Sequence, residues 1–175
     1  IEIVVPDGSE LIGRLLGELE STYSIRAIGV KRRGESSMVG PGSTAYDTEI
    51  EGGMVLGVVA TNIHIETLIS KYKLKRRSQL RSFSESLAPN KAGIAEVVIP
   101  PGSKIIGKSA REIWLRKTYG LSLIGLHRNG ETLRSGENIR AMPFQAGDTL
   151  VVHTTWENLA RLEKDRNYVV VTTEY

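Results

Sequence analysis

One stretch of the sequence has the letters of a nucleotide-phosphate loop. Gly102 stands five positions before the run Gly107-Lys108-Ser109, so the pattern G-x-x-x-x-G-K-[ST] is matched in full. In such loops, backbone amides and the lysine hold the phosphates of a nucleotide. A working loop also needs a parallel βαβ fold, a downstream acidic metal ligand and more room than a module of about 80 residues has. We therefore interpret the stretch as a turn that leads into a helix.

No other set of reactive side chains stands out. His64, His127 and His153 lie in different predicted elements and lack the spacing of zinc ligands. No pair of carboxylates is placed for acid–base catalysis, and the absence of cysteine excludes disulfides and thiolate chemistry. We expect a protein that is not an enzyme, with no catalytic residue, no metal and no resident cofactor.

Composition and charge agree with a globular protein. Apolar residues make up 40% of the chain and charged residues 25%, and no apolar run reaches the length of a membrane span. The segment from Lys71 to Arg81 has six basic residues and no acid. Such a segment can touch nucleic acid or anionic lipid, but it is also common in solvated linkers, and we expect no nucleic-acid partner. The chain opens on an apolar strand without Met, so we expect it to be a piece of a longer protein.

The main feature of the sequence is an internal repeat with a period of about 95 residues. Four blocks recur in the same order: 5–14 and 99–108, 25–35 and 121–131, 53–59 and 147–153, and a helical stretch at 61–72 and 155–164. A period of this length is too long for a solenoid and indicates a duplicated domain.

The repeat divides the chain into two domains and a linker. We place the first domain at residues 1–72, a basic and Ser-rich linker at 73–93, and the second domain at 94–175. The run Ala88-Pro89-Asn90 breaks regular structure, and we expect the first half of the linker to be helical. Domains this small bury a marginal core alone, so we expect the copies to pack together or to pair with a partner.

Each copy predicts the order strand, helix, strands, helix. The opening strands, 1–5 and 94–99, are rich in Val and Ile, and a proline ends each of them. The second copy closes with a strand at 168–171, for which the first copy has no apparent counterpart. The pattern predicts a small α+β sandwich in each copy.

Local signals in the second copy fix two boundaries. Ser109 and Glu112 have the spacing of a capping box, so we expect a helix from Ser109 to Tyr119. The dipeptide Asn129-Gly130 predicts a tight hairpin turn, because both residues tolerate positive φ.

These motifs resemble the C-terminal ligand-sensing domain of potassium-conductance regulators, the TrkA-C or RCK-C domain. The resemblance is carried by the Pro-x-Gly-Ser block with its following Glu, by strand-x-Arg-x-Gly and by Gly-Asp-x-Leu-x-Val. It covers nearly the whole chain as two copies, and the second is closer, since Met54 stands in the first where Asp148 stands in the second. It implies an α+β fold: two tandem β-α-β-β-β-α(-β) sandwiches.

A tandem pair of these domains is similar to the cytosolic insert of bacterial sodium-coupled divalent-anion symporters, which carry dicarboxylates, citrate or sulfate. Residues 165–175 resemble the exit of that insert towards the next membrane segment. Aspartate–alanine-type exchangers and potassium transport systems are alternative parents. The resemblance implies a regulatory pair at the cytoplasmic face of the bacterial inner membrane. Its expected partners are the membrane domain of the same chain and a second copy, through pseudo-twofold packing of the domains or a homodimer.

The resemblance also implies a ligand groove, because domains of this family can bind cyclic di-AMP or other small effectors at their interfaces. The matching segments here contain Ile124, Leu126, Arg128, Asn129 and Pro143. Arg128 could meet a phosphate with two hydrogen bonds, and the apolar residues could face a base. Alternatively, Arg128 forms a salt bridge at the end of the hairpin and the apolar side chains belong to the core.

Three functions therefore remain open. The chain is a ligand-sensing regulatory pair, a structural module that only assembles transporter subunits, or a protein that hydrolyses nucleotide or binds nucleic acid. Saturable binding of a small effector distinguishes the first from the second, and ATP turnover or salt-dependent nucleic-acid binding would indicate the third.

Overall fold

The structure is a computed structural model that describes residues 1–40, 43–60, 62–77, 81–134 and 138–172. Thr61, the predicted start of the first closing helix, lies outside these ranges. The described part of the chain folds into two units, each with a five-stranded antiparallel sheet and two α-helices, and the second unit has in addition a short 3-10 helix, Ile139–Ala141.

The first unit follows the predicted order of elements. Its elements are β1 (Glu2–Val4), α1 (Leu16–Tyr23), β2 (Arg26–Lys31), β3 (Met38–Val39), β4 (Val55–Val59), α2 (Asn62–Tyr72) and β5 (Lys75–Arg77). The strands form a sheet in the order β3-β2-β4-β1-β5, and all neighbours are antiparallel.

The second unit repeats this arrangement. Its elements are β6 (Ala92–Val98), α3 (Leu115–Tyr119), β7 (Ser122–Arg128), β8 (Glu131–Arg134), β9 (Thr149–Thr155), α4 (Trp156–Leu162) and β10 (Val169–Val170). The sheet order is β10-β6-β9-β7-β8, which is the order of the first sheet when each strand is matched to its equivalent. The predicted fold class, two tandem α+β sandwiches, is confirmed.

Each unit has its own hydrophobic core between one face of its sheet and its helices. Along β9 the side chains alternate, with Leu150 and Val152 buried and the residues between them partly exposed. This alternation follows from the two-residue period of a strand that has one face in the core. Leu159 on α4 and Leu68 on α2 are fully buried against their own sheets.

The first copy does have a closing strand, contrary to the sequence prediction. Lys75–Arg77 pairs with β1 in the same way that Val169–Val170 pairs with β6. The expectation of a helix at the start of the linker was also wrong, because these residues are extended. An edge strand needs backbone pairing on one side only and tolerates charged side chains, so the basic composition hid it. The domain boundaries at 73 and 93 remain predictions.

The linker packs on the first sheet as part of the fold. The ring of Phe83 is fully buried against Gly29 and Gly57, where a β-carbon would come within 2.8 and 3.1 Å of it. The buried carboxylate of Glu2 accepts hydrogen bonds from the amides of Arg81, at 2.7 Å, and Phe83, at 3.0 Å. These contacts cover the face of the first sheet that lies opposite its helices.

Of the two local sequence signals in the second copy, the hairpin dipeptide predicted the structure correctly and the capping box did not. The hairpin turn is confirmed, with Asn129 at φ 53° and Gly130 at φ 79° between the strands. The helix is shorter than predicted. The Ser109 hydroxyl accepts the amide of Glu112 at 3.2 Å, but turns follow, and α3 begins only after Trp114, whose φ is 53°.

Candidate functional site between the two copies

Arg128 is anchored in the fold by a buried carboxylate. Its Nε lies 2.8 Å from Asp148 Oδ1 and its Nη2 lies 2.7 Å from Oδ2, and Nη2 also donates to the carbonyl oxygen of Pro143 at 2.9 Å. The amide of Gln145 donates to the same carboxylate. The hydrogen bond to Asp148 raises the pKa of Arg128. The structure thus brings Arg128 and Pro143 together, and Asp148 holds Arg128 in a structural salt bridge.

The other predicted ligand residues are spread over different environments. Leu126 is fully buried in the second core, Ile124 is half-buried, and Asn129 is exposed at the hairpin turn. A ligand could touch Ile124 and Asn129 without rearrangement of the core, but not Leu126. In the first copy, Arg32 holds the position of Arg128 and lies 3.5 Å from Glu51. The ligand role of the five predicted residues remains a prediction.

The stretch with phosphate-loop letters uses its backbone amides internally. The amide of Gly107 donates to the carbonyl of Phe144 at 2.8 Å, and the amide of Lys104 donates to the side chain of Asn167 at 2.8 Å. The Ser109 hydroxyl accepts the amide of Glu112, so the loop is a turn that is hydrogen-bonded to its own domain. The stretch therefore forms the predicted turn and not a phosphate-binding loop.

The two copies meet through equivalent elements, α1 and β2 of the first and α3 and β7 of the second. At the centre lies the fully buried carboxylate of Glu20. Arg116 of the second copy donates to it twice, Nη1 to Oε2 at 2.5 Å and Nη2 to Oε1 at 2.9 Å. Arg116 also donates to the carbonyl of Ala27 in β2, at 3.2 Å. One carboxylate thereby fastens both copies.

Two further arginines surround the same carboxylate. Arg26 donates to Glu20 at 3.1 Å, and Arg140 lies 3.7 Å from it while donating to the hydroxyl of Ser21 at 3.1 Å. Both guanidinium groups are buried, like that of Arg116. We call Glu20, Arg26, Arg116 and Arg140 the interface cluster. It places three positive charges around one negative charge, away from water.

The charges of the interface cluster perturb one another. Burial alone would raise the pKa of Glu20, but the positive charges of Arg26 and Arg116 outweigh it and lower the pKa to about 2. Burial lowers the pKa of Arg26 to about 9, against the attraction of Glu20. Burial also lowers the pKa of Arg140. The cluster therefore holds more positive charge than its own carboxylate can balance.

A small cavity of about 40 Å³ adjoins the interface cluster. Its lining comes from both copies; besides alanine and leucine side chains, it comprises Arg26, Tyr46, Arg111, Trp114, Arg116, Lys117 and Arg140. The guanidinium of Arg111 lies over the ring of Tyr46, 4.4 Å from its centre. Such a lining suits an anion, because several positively charged side chains converge on it.

Sequence reasoning missed this site, although the repeat carried a signal for it. Glu20 stands three residues before Tyr23, and Arg116 stands three residues before Tyr119. The two residues therefore occupy the same position in the two copies with opposite charges. Equivalent residues meet when duplicated domains pack about a pseudo-twofold axis, so such a pair is a candidate contact.

The histidines do not form a metal site in the part of the chain that the structure describes, where no group of three or more His, Cys, Asp or Glu side chains could hold an ion. His153 is half-buried on β9, and burial lowers its pKa to about 4. His127 is exposed, and its ring lies 3.1 Å from the Thr132 hydroxyl.

The fold and the interface define the chain as a duplicated α+β module whose copies pair through equivalent faces. The chain belongs to the TrkA-C domain family, whose sequence model matches residues 1–72 and 94–165. The family is regulatory and not catalytic, and the match indicates no enzymatic family.

Two known proteins are similar to the chain. It is 28% identical over 173 residues to YfbS of Escherichia coli (strain K12), described as an uncharacterized transporter, and the match covers 97% of this chain but 28% of that protein. A crystal structure of the GsuK RCK domain aligns with a TM-score of 0.36 and 11% identity, over 90% of this chain and 61% of that one. Along the described ranges, no helix has the length and hydrophobicity needed to cross a lipid bilayer.

Proposed function

We propose that the chain is the cytosolic regulatory domain pair of a bacterial membrane transporter. The observation that carries this proposal is the match of both halves of the chain to the TrkA-C domain family. The interface cluster, in which Glu20 of one copy is held by Arg116 of the other, joins the two halves. The likeness to a transporter of which the chain spans 28% supports a membrane domain as its partner within one longer protein. The pair would lie at the cytoplasmic face of the inner membrane.

The regulatory mechanism is a change in the arrangement of the two copies. An effector shifts an equilibrium between two arrangements only by its difference in affinity for them. An interface held by directional contacts, such as that of Glu20 with Arg116, can have two discrete packings. An effector that favours one packing would bias the attached membrane domain towards one state of the transport cycle.

The transported substrate in this proposal is a divalent anion moved with sodium, namely a dicarboxylate, citrate or sulfate. Aspartate–alanine exchange and potassium transport are the alternatives. The test is uptake of labelled succinate, citrate, sulfate, aspartate and potassium by cells that produce the longer protein, with and without a sodium gradient. Sodium-dependent uptake of a divalent anion supports the symporter. Uptake of aspartate alone would support an aspartate–alanine exchanger instead, and uptake of potassium alone would support a potassium transport system.

The regulatory part is tested in the same assay with Glu20→Gln, which breaks the interface cluster. Glu18→Gln is the matched control, because Glu18 lies on the same helix and is exposed. A transport rate or effector response that changes in Glu20→Gln at equal membrane abundance supports regulation by the pair. Equal transport in both variants contradicts it.

A nucleotide effector at the Arg128 side of the second copy remains part of the proposal. Cyclic di-AMP and adenine nucleotides are screened by thermal shift on the 175-residue chain, where a ligand at 100 times its dissociation constant adds about 2.7 kcal/mol. A hit that Arg128→Ala weakens supports this groove. Because Arg128 is already engaged by Asp148, a nucleotide phosphate would have to compete with that carboxylate.

A structural role in subunit assembly is the second candidate function. It is favoured by the direct ionic contact between copies, which needs no ligand to join them. A chain that forms stable homodimers by light scattering, with no effector response in the thermal screen, would fit this candidate and contradict the sensing role.

A further inference from the structure

We infer that the cavity beside the interface cluster is a binding site for a small, doubly charged oxyanion. This inference deepens the proposed function by naming an effector class, and it rests on that function only for the regulatory consequence of binding. The site differs from the groove around Arg128, which lies on the second copy and is closed by Asp148.

The first argument is charge balance. The charged groups that act on Arg26 are one carboxylate, Glu20, and three guanidinium groups, those of Arg116, Arg140 and Arg111. Buried charges in proteins are normally paired, and a single carboxylate can neutralise only one of these cations. A doubly charged anion would balance the two positive charges that Glu20 leaves over in the buried interface cluster.

The second argument is hydrogen bonding. The Nε atoms of Arg26, Arg116 and Arg140 are buried and have no hydrogen-bond partner among the described residues. A buried donor without a partner is costly, and three such donors in one cluster are unusual. Arginine donors are suited to oxyanions, which accept several hydrogen bonds at once. The interface cluster therefore has donors that the contacts within the chain leave unsatisfied, and an anion in the cavity reaches them once these side chains rotate towards it.

The third argument is space. A water molecule needs roughly 10–15 Å³ of cavity measured in this way, so about 40 Å³ gives room for a few water-sized groups, such as the oxygens of phosphate, sulfate or a compact dicarboxylate. A whole nucleotide is too large for it without opening of the interface. Tyr46 from the first copy and Trp114 from the second stand at its wall, so an anion bound there would contact both copies.

The experiment is a titration of the 175-residue chain with inorganic phosphate, sulfate and succinate, at constant ionic strength and with acetate as the singly charged control. We expect saturable heat by calorimetry with one anion per chain. The thermal midpoint should rise by about 5–10 °C at 100 times the dissociation constant. A response to phosphate and sulfate assigns a tetrahedral oxyanion, a response to succinate assigns a dicarboxylate, and both support the site.

Two variants test whether the anion binds in the cavity beside the interface cluster. Arg111→Gln changes an exposed side chain of the lining and leaves every contact of Glu20 in place, and Arg140→Gln removes a surplus buried charge. Each should weaken binding at least tenfold. Arg161→Gln is the matched control, because Arg161 is an exposed arginine paired with Glu157 on α4, and it should bind as the unaltered chain does.

The inference is overturned if no dianion gives a saturable response, or if both lining variants respond as Arg161→Gln does. A further readout separates binding from structure: in anion-free buffer, Arg111→Gln should melt close to the unaltered chain, since Arg111 stacks on the ring of Tyr46 and is exposed. A negative result in the anion titration does not change the outcome of the uptake test with Glu20→Gln. The two experiments therefore distinguish failure of the anion-site inference from failure of the proposed function.

Discussion

Glu20 and Arg116 hold the same position in the two copies of the repeat, and their side chains form a buried, two-hydrogen-bond ion pair with each other. In an exact duplication, two equivalent residues that meet would be of the same type, and two buried glutamates or arginines would repel. The opposite charges at this position make the pairing of first copy with second copy favourable, and they disfavour the pairing of either copy with its own kind.

Removal of the carboxylate should destabilise the chain strongly. Glu20→Gln leaves the buried guanidinium groups of Arg26, Arg116 and Arg140 without their counter-charge, and loss of one partner of a buried pair costs about 3–5 kcal/mol. Urea unfolding of this variant beside Glu18→Gln measures the difference. The control should lose less than about 0.5 kcal/mol, and equal stability of the two variants would mean that the interface cluster does not hold the copies.

Truncation of Phe83 should release the linker from the first sheet. Its ring fills the space over Gly29 and Gly57, and Phe→Ala changes at buried sites cost about 3–5 kcal/mol. Limited proteolysis should cut the linker of Phe83→Ala much faster than that of the unaltered chain. Ser84→Ala, at the exposed neighbouring position, is the control. A linker that is cut equally fast in all three chains would show that it does not pack on the sheet.

The salt bridge of Arg128 should be worth far more than an exposed one. Arg128→Ala leaves the Asp148 side chain, which is 1% exposed, without its counter-ion, and we expect a loss of about 3 kcal/mol. Arg33→Ala breaks the pair with Asp7, whose side chains are 65% and 70% exposed, and should cost less than about 1 kcal/mol. Thermal unfolding compares the two, and losses of equal size would contradict a structural role for Arg128.

Stability should fall as the pH drops through the range set by His153. Burial lowers its pKa from 6.5 to about 4, so the unfolded chain binds the proton first and stability is lost between pH 6.5 and 4, by up to roughly 3 kcal/mol. The pKa of Glu20 falls from 4.5 to about 2, so its contribution is lost only below pH 4.5. Urea unfolding at several pH values should give a flatter profile for His153→Gln than for His127→Gln, which alters an exposed ring. Parallel profiles would exclude His153 as the cause.

Much of the fold could be predicted from the sequence, because the repeat and the periodicity of the strands are local signals. The hairpin at Asn129-Gly130 depends on neighbouring residues and is present. The Ser109 hydroxyl accepts the amide of Glu112, but it stabilises a turn and does not cap α3. The strand Lys75–Arg77 was missed because backbone pairing at a sheet edge leaves no hydrophobic pattern in the sequence. The length of α3 was overestimated, since the left-handed conformation of Trp114 has no signal of its own.

The candidate site could not be predicted in the same way, because it depends on contacts between the copies. Arg116 and Glu20 are 96 positions apart, and each by itself has the character of a surface residue on a short helix. Arg128 lies at the hairpin end, as predicted, but its partner Asp148 lies directly before β9, 20 positions further along the chain. Only the comparison of equivalent positions across the repeat could have pointed to the central ion pair.

The most direct test of this account is a distance measurement between the two copies. The chain has no cysteine, so Ser70→Cys on α2 and Ala160→Cys on α4, both exposed, give two unique positions for spin labels. Pulsed electron paramagnetic resonance should give one narrow distance distribution, which broadens when Glu20→Gln is added and stays narrow when Glu18→Gln is added. A broad distribution in the chain that keeps Glu20, or a narrow one that Glu20→Gln leaves unchanged, would contradict the claim that the interface cluster joins the copies into one unit.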